Sequence, residues 1–237
     1  MKKNPFKRIL CIVIAAVMLC SVFASTAAAA TKCACGHSPV VMISGFGATI
    51  LSEKQEDGSL KRVFPPDTKE ILKLLGVNAP DLITGIIELL AQKGTDGIEK
   101  PLRDIITSIV EPLRMNDDGT SYYDIVPILS GAKNTSLEAF TKNGQLDLVP
   151  YTGSEFLDME VIGDEIGDDH VFNFLYDWRL SHADVAAQLH DYLAEVCALT
   201  GHDKVSVYSI SQGSLLLGTY MYEYPNDNYI DRAVFDT

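Results

Sequence analysis

Ser211 lies in a short pattern that could carry nucleophilic chemistry. It is the central residue of Ser209-Ile210-Ser211-Gln212-Gly213, between a β-branched run and an apolar one. A serine hydroxyl serves as an acyl-transfer nucleophile when a sharp strand-to-helix turn lifts it off a sheet, and small residues nearby relieve the crowding of that turn. Both residues two positions from Ser211 are small. The pattern therefore predicts a catalytic Ser211, with an ordinary turn and a helix-capping serine as the alternative.

Acyl transfer also needs hydrogen-bond donors where negative charge develops on the substrate oxygen. The backbone N–H of Gln212, directly after Ser211, is one candidate, and a loop after an earlier strand normally supplies the other. Gly45-Phe46-Gly47 follows the first apolar run beyond residue 38. The Phe46 N–H is therefore predicted as the second donor, a role compatible with a simple tight turn made by the two glycines.

A mostly parallel α/β sheet is predicted to position these turns. Short apolar or alternating runs predict strands at residues 39–44, 171–175, 204–209 and 232–236. Helical patterns separate the last three, over residues 183–199 and 215–224. Gly201 is placed to end the first of these helices. Strands alternating with helices are typical of a parallel sheet.

A long insertion separates the first two predicted strands. Within residues 67–113, three segments carry apolar residues at three- and four-residue spacing, the second with an N-cap candidate at Asp81. Three core-packing helices would explain this pattern, and so would an apolar cap over an active site. The position between two strands favours a helical cap within residues 52–170. Residues 52–62 are predicted as an exposed excursion and 122–127 as a short strand.

The first thirty residues predict export. A basic stretch precedes an apolar run from Ile9 to Ala24, and small residues continue to Ala30. This is the layout of a secretory signal peptide cleaved after Ala28 or Ala30, with a retained membrane anchor as the alternative. Residues 31–237 would then form one secreted, extracellular α/β domain.

The composition and net charge limit the classes of partner that the chain can bind electrostatically. The chain of 237 residues is 47% hydrophobic and carries a formal net charge of -13, so it can bury a core and is strongly acidic. Loss of the basic leader makes the remaining protein more acidic still. Such a charge argues against nucleic acid and anionic membranes as electrostatic partners.

Cys33, Cys35 and Cys197 are the cysteines that follow the predicted leader. In an exported chain, a disulfide that includes Cys33 or Cys35 is the expected state. A tetrahedral zinc site would need further ligands and usually a wider spacing than that of Cys33 and Cys35. No metal site and no cofactor are therefore assigned.

Three segments together resemble the lecithin:cholesterol acyltransferase family, which includes lysosomal phospholipase A2 and bacterial lipase-like members. They are the run from Pro39 to Leu51, the string Tyr176-Asp177-Trp178-Arg179-Leu180, and the serine turn with its flanking Lys204-Val205 and Leu215-Leu216. The chain departs from the family at Ile210, where a histidine is usual, at Ser209, which replaces a glycine, and at Ser44, where a proline is common. None of these changes removes a group that the chemistry requires.

The resemblance implies an α/β-hydrolase fold with a helical cap insertion and the activity of a lipase or O-acyltransferase in lipid metabolism. Ser211 would be the nucleophile, and the amides of Phe46 and Gln212 would form the oxyanion hole. The resemblance places four residues beside the pocket, where they shape it: Gly45, Asp177, Trp178 and Arg179. For Asp177 and Arg179, a structural salt bridge is the favoured interpretation.

The triad order of this fold is serine, then an acid, then histidine. No histidine follows Ser211 in the sequence, whereas Asp227, Asp231 and Asp236 do. Of the upstream histidines, only His182 is expected on the active-site side, and His202 is expected at the opposite end of the sheet. The chain is therefore expected to be an incomplete hydrolase whose C-terminal part is missing: the product of a truncated gene, a fragment, or one part of a split enzyme that a complementing C-terminal fragment would complete.

Two functions remain open on the sequence. The first is a secreted serine hydrolase or acyltransferase acting on lipid or other esters, with peripheral contact to lipid surfaces. The second is a non-catalytic protein that binds a lipid or a partner, favoured by the missing histidine. An exported structural protein, supported only by the leader, is a weaker third.

Overall fold

The computed structural model describes residues 33–91, 94–148 and 154–236, so the predicted signal peptide lies outside the described residues. The chain is a mixed α/β protein. Its strands are β1 (Val40–Ile43), β2 (Leu51–Lys54), β3 (Leu60–Phe64), β4 (Ile125–Pro127), β5 (Val171–Phe174), β6 (Val205–Ile210) and β7 (Ile230–Asp236). Its α-helices are α1 (Thr68–Leu90), α2 (Asp96–Val110), α3 (Leu137–Lys142), α4 (Ser154–Ile166), α5 (His182–Thr200) and α6 (Gln212–Glu223).

Four of the strands form a parallel sheet in the order β5-β1-β6-β7. β1 lies between its partners in register, with Val40 opposite both Val171 and Ser206. Since every pair is parallel, the amino ends of these strands share one edge of the sheet and their carboxyl ends share the other. The predicted α/β class with a parallel sheet is confirmed.

The helix α5 covers this sheet because its apolar residues recur on one face. Val185, Leu189, Leu193 and Val196 are all fully buried in one core cluster with side chains of β1, β5 and β6. The helix ends where Gly201 adopts a left-handed backbone with φ of 70°, a conformation that glycine adopts without strain. The local pattern thus predicted this element correctly.

The helical insertion differs from the prediction of three segments. The first two are one continuous helix, α1, which begins after Asp67, whose side chain accepts a hydrogen bond from the Lys69 N–H. Asp81 lies inside this helix and caps nothing, and Pro80 is also internal. The side chain of Asn78 donates to the Leu74 carbonyl in the turn that Pro80 interrupts. A proline or glycine makes a helix less favourable without necessarily ending it when packing supports both sides.

That packing comes from α2, against which α1 forms a hairpin. Gly85 and Gly97 allow the two backbones to touch: a Cβ built on Gly85 would lie 2.5 Å from the Gly97 carbonyl. Much of the outer surface of the hairpin is apolar and exposed. Among the described residues, no helix has the length and hydrophobicity needed to cross a bilayer.

Residues 52–62 are not a simple exposed excursion. β2 and β3 form a hairpin, and β4 pairs on the other side of β2 to give a small antiparallel sheet. Ser52, predicted as exposed, is fully buried in it. The stretch was predicted to be exposed because the charged tip of the hairpin dominates its composition. The pairing of β2 with β4 was not predictable from this stretch, because β4 lies far along the chain.

Candidate active site

The carboxyl edge of the parallel sheet gathers the three motifs found in the sequence. β1 leads into Ser44 and Gly45, β5 leads towards Asp177, and β6 leads directly into Ser211. They become neighbours because β1 lies between β5 and β6. In parallel α/β sheets, ligands bind outside the carboxyl ends of the strands.

Ser211 is held in an unusual backbone conformation. Its φ is 52° and its ψ is -119°, and among the described residues it is the one non-glycine with positive φ. Its N–H donates to the Asp236 carbonyl at 2.8 Å, and α6 begins at the next residue. A backbone of this kind stores about 1–3 kcal/mol of strain and persists where surrounding structure enforces it. Ser211 itself is exposed, which its predicted role as a nucleophile requires.

Two glycines make room for this turn. A Cβ on Gly213 would lie 2.3 Å from the Ile43 carbonyl oxygen and 2.8 Å from that of Ser44. A Cβ on Gly45 would lie 3.1 Å from the Ser211 Cβ and 3.5 Å from its Oγ. The end of β1 and the start of α6 therefore approach each other as closely as their backbones permit.

Ser209 explains how the chain accommodates a serine two positions before Ser211. Its side chain is fully buried, and its Oγ donates to the Val234 carbonyl at 3.0 Å. The same oxygen lies 3.2 Å from the Ser214 Oγ, which also reaches the Asp236 carbonyl at 3.2 Å. The extra hydroxyl is thus satisfied within the fold and ties β6 to β7 and α6.

The amides of Phe46 and Gln212 are placed at the two turns that flank Ser211. Neither amide donates a hydrogen bond to any other residue that the structure describes. Unpaired N–H groups at a loop and at a helix start are what an oxyanion hole requires. The Phe46 ring is 67% exposed and meets the Trp178 ring edge-on, with centroids 4.4 Å apart.

The segment after β5 braces the Gly45-Phe46 turn. The Tyr176 hydroxyl donates to the Ser44 carbonyl at 2.9 Å, and the Trp178 indole N–H donates to the Thr49 carbonyl at 3.3 Å. Both side chains are buried. These two hydrogen bonds fix the backbone on both sides of the Gly45-Phe46 turn. Trp178 therefore helps to position the Phe46 amide, the predicted donor, and its ring also contacts the Phe46 ring.

Asp177 and Arg179 form a buried ion pair. The Arg179 Nε and Nη2 donate to the two carboxylate oxygens of Asp177 at 2.9 and 2.6 Å. The two side chains are only 5% and 4% exposed. Arg179 Nη2 also donates to the Ser121 hydroxyl at 2.9 Å, which links the pair to the chain before β4. This geometry is that of a structural clamp.

The side chain of Gln212 joins the Ser211 turn to the start of α5. Its Nε2 donates to the Trp178 carbonyl at 2.9 Å and lies 3.3 Å from Nε2 of His182. His182 is thus on the Ser211 side of the sheet, but it contacts Gln212. Within the described part of the chain, no hydrogen bond joins Ser211 Oγ to a histidine or a carboxylate.

The opposite edge of the sheet holds a cluster that the sequence did not reveal. Cys33, Cys35, His170 and His202 bring ligand-type atoms within 4.8 Å of one another. Burial, together with the neighbouring His170, lowers the pKa of His202. The expected disulfide is wrong: all three described cysteines are free, and Cys197 is buried apart in the core. Its burial raises the pKa of the Cys197 thiol to about 11.

The histidines of this cluster were missed because sequence spacing conceals them. His170 is separated from Cys33 by 137 positions, and His202 from Cys35 by 167. His170 comes immediately before β5 and His202 lies three positions before β6, and both strands neighbour β1 in the sheet. A histidine just before a predicted parallel strand is the one sequence feature that could have indicated them.

Comparison with known proteins does not assign a family. The chain matches no protein-family model, no curated protein and no solved structure at a significant level. The resemblance to the lecithin:cholesterol acyltransferase family therefore stays a prediction from sequence motifs.

Proposed function

We propose that the chain is a secreted serine hydrolase or acyltransferase of the α/β-hydrolase type that acts on lipid esters through Ser211. The observation that carries the proposal is the enforced positive φ of Ser211 at the junction of β6 and α6. A strand-to-helix junction with a strained backbone at the serine is what a nucleophile elbow requires, and this supports the proposal. A helix cap of ordinary kind would have extended backbone and a side chain bonded to its own helix, and Ser211 has neither.

The proposed reaction is acyl transfer through a covalent intermediate. Ser211 Oγ attacks the ester carbonyl carbon while its proton passes to a base, and the negative oxygen is stabilised by the Phe46 and Gln212 amides. The alcohol leaves with a proton, giving an acyl-serine, which water or a second alcohol then cleaves. Gly45 keeps the space beside Oγ open for the substrate.

The base is the unassigned part of this reaction. Ser211 Oγ has no hydrogen bond to a histidine within the described residues, and His182 is engaged with Gln212. We propose that the imidazole comes from a group outside these residues, such as a partner polypeptide. Without general-base activation a serine hydroxyl is a poor nucleophile, although an oxyanion hole alone preserves some rate enhancement.

Lipid esters are proposed as substrates because of the α1–α2 hairpin. Its exposed apolar side chains include Leu72, Val77, Ile83, Ile87, Leu90 and Ile106. Exposed apolar side chains on an acidic protein are suited to contact with acyl chains or with an uncharged lipid surface.

Phosphonate labelling tests the nucleophile. The full chain is incubated with an alkyl fluorophosphonate, with and without added imidazole, and the modified residue is mapped by peptide mass spectrometry. We expect slow labelling confined to Ser211, accelerated by imidazole, abolished in Ser211→Ala and retained in the matched variant Ser206→Ala, in the strand that leads to Ser211. A folded chain whose Ser211 reacts no faster than its other serines, even with imidazole, contradicts the proposal.

The same experiment tests His182 as the base. Rapid labelling without imidazole that disappears in His182→Ala would assign the base to this residue. Labelling that His182→Ala leaves unchanged would direct the search to a partner polypeptide.

A non-catalytic lipid-binding protein is the second candidate, favoured because no base is bonded to Ser211 within the described residues. Flotation with phosphatidylcholine vesicles separates it from the first. Vesicle binding that Ser211→Ala preserves, in a chain that phosphonate never labels, would support this candidate.

A further inference from the structure

We propose that Cys33, Cys35, His170 and His202 bind one structural Zn²⁺ ion at the amino edge of the parallel sheet. Their ligand-type atoms, two sulfurs and two imidazole nitrogens, all lie within 4.8 Å of one another. The set is of the Cys2His2 kind that zinc prefers in structural sites. This site is separate from Ser211, and its proposal does not depend on the proposed function.

The separations suit tetrahedral coordination. The Cys33 and Cys35 sulfurs each lie 3.7 Å from Nε2 of His170, and the Cys35 sulfur lies 3.3 Å from Nε2 of His202. Zinc–sulfur and zinc–nitrogen bonds of about 2.3 and 2.0 Å give tetrahedral edges of about 3.3–3.8 Å. The side chains therefore already surround a space of the right size for a single ion.

The topology of the sheet creates this arrangement. Cys33 and Cys35 precede β1, His170 directly precedes β5, and His202 precedes β6. Because β1 pairs with β5 on one side and β6 on the other, the three segments must emerge together at the amino edge. The Cys33 N–H also donates to the Gly201 carbonyl at 3.2 Å, which fixes the cysteine segment beside the loop that carries His202.

Polar neighbours orient the ligands as in known zinc sites. Asp169 Oδ1 lies 2.8 Å from Nδ1 of His170, which leaves Nε2 of this ring facing the cysteines. Such carboxylate–histidine pairs set the tautomer of a metal-bound imidazole. The backbone N–H of Cys35 donates to the Cys33 sulfur at 3.4 Å, a bond that stabilises a thiolate.

Four protein ligands, two of which are thiolates, indicate a structural ion. They would complete the coordination shell, leave no open position for a substrate, and cancel the charge of Zn²⁺. Residues 33–37 form neither a helix nor a strand, and the ion would hold them against the loops before β5 and β6. In an exported protein, disulfides commonly hold such a segment in place, and the ion would serve the same purpose here.

Metal content and coordination test the proposal. The full chain is equilibrated with Zn²⁺, dialysed against buffer and analysed by mass spectrometry of the metal, and a Co²⁺-substituted sample is examined by visible absorption. We expect one zinc per chain and the intense ligand-field bands of tetrahedral Co²⁺ with sulfur ligands. Cys35→Ser and His202→Asn should lose the ion, and Asp169→Asn should weaken its binding by roughly tenfold.

His37 provides the matched control, because it lies in the same segment but outside the cluster. His37→Asn should keep one zinc and the tetrahedral spectrum. Circular dichroism of each variant checks that the sheet is formed, and chelation of zinc from the wild-type chain should lower its melting temperature without any substitution. Three results would each overturn the proposal: a wild-type chain that retains no zinc, an octahedral Co²⁺ spectrum, or a Cys33–Cys35 disulfide in the mass spectrum.

Discussion

Replacing Gly213 by alanine tests the close approach on which the Ser211 turn depends. The new Cβ would meet the Ile43 carbonyl oxygen at 2.3 Å and the carbonyl carbon of the same residue at 2.9 Å. These are backbone atoms at the end of β1, so no side chain can rotate away. Relief requires that α6 and the end of β1 separate, which moves Ser211 relative to the Phe46 amide.

The magnitude follows from the size of the overlap. The shortest contact is about 1 Å closer than normal packing distance, and overpacking of this kind destabilises a fold by about 1–3 kcal/mol. A shift of about 1 Å in a reacting group lowers its rate by roughly a hundredfold. We therefore expect Gly213→Ala to lower both the free energy of unfolding and the rate of phosphonate labelling at Ser211.

Gly218 is the matched control, since it lies in the same helix with no atom within 4 Å of a built Cβ. Gly218→Ala should raise the free energy of unfolding by about 0.5–1 kcal/mol, because alanine favours a helix interior more than glycine does. Urea unfolding followed by circular dichroism measures both variants. If Gly213→Ala proved as stable as Gly218→Ala and labelled at the wild-type rate, the argument for an enforced turn would be wrong.

Three further predictions concern strain, the buried ion pair and acid stability. Ser211→Gly should be more stable than Ser211→Ala by about 1 kcal/mol or more, because glycine adopts the positive φ without strain. Asp177→Asn should lower the free energy of unfolding by about 3–5 kcal/mol, since it leaves the buried guanidinium of Arg179 without its counter-charge. Burial raises the pKa of Asp227, but hydrogen bonds led by that from Tyr220 outweigh burial and hold this pKa below its ordinary value. The stabilisation from Asp227 is therefore present above its unfolded pKa of about 3.9 and is lost as pH falls through the lower folded value. Asp227→Asn should weaken the fold at pH 7 and reduce the acid-induced loss of stability, as measured by urea unfolding between pH 2 and 7 (roughly the range in which carboxylates titrate).

Each of these has a control or a contrary outcome. Equal unfolding free energies for the two Ser211 variants would mean that the turn stores no strain. Asp231→Asn removes a charge from an exposed pair with Arg232, whose atoms are 3.7 Å apart, and should change stability by less than about 1 kcal/mol. If Asp177→Asn lowered the free energy of unfolding by no more than Asp231→Asn does, the buried pair of Asp177 and Arg179 would not be a structural clamp. An acid profile of Asp227→Asn that parallels the wild type would show that another carboxylate governs acid unfolding.

Local physics made much of the Ser211 region predictable from sequence. The alternation at β6, the apolar face of α5 and the stop at Gly201 each depend on residues within a few positions of one another. Helix and strand periods are properties of the chain's own geometry, so they appear before any tertiary contact is known. The small residues around Ser211 likewise indicated a crowded turn, because only small residues fit one.

Contacts between distant segments were decided only in the folded chain. α1 runs through Pro80 because α2 packs along it, and Ser52 is buried because β4 pairs with β2. Neither fact is encoded in the local pattern. Tertiary packing can outweigh the low helix propensity of a proline or a glycine when it supports the helix before and after that residue.

The cluster of Cys33, Cys35, His170 and His202 shows most clearly what the sequence could predict and what only the tertiary structure determined. From the sequence, a disulfide that includes Cys33 or Cys35 was expected, since disulfides are common in exported proteins and the leader predicts export. The strand order β5-β1-β6 brings His170 and His202 to them from far along the chain. Residue types and local periods were therefore readable from the sequence alone. The identity of the groups that meet at each edge of the sheet depended on strand order, which long-range packing determines.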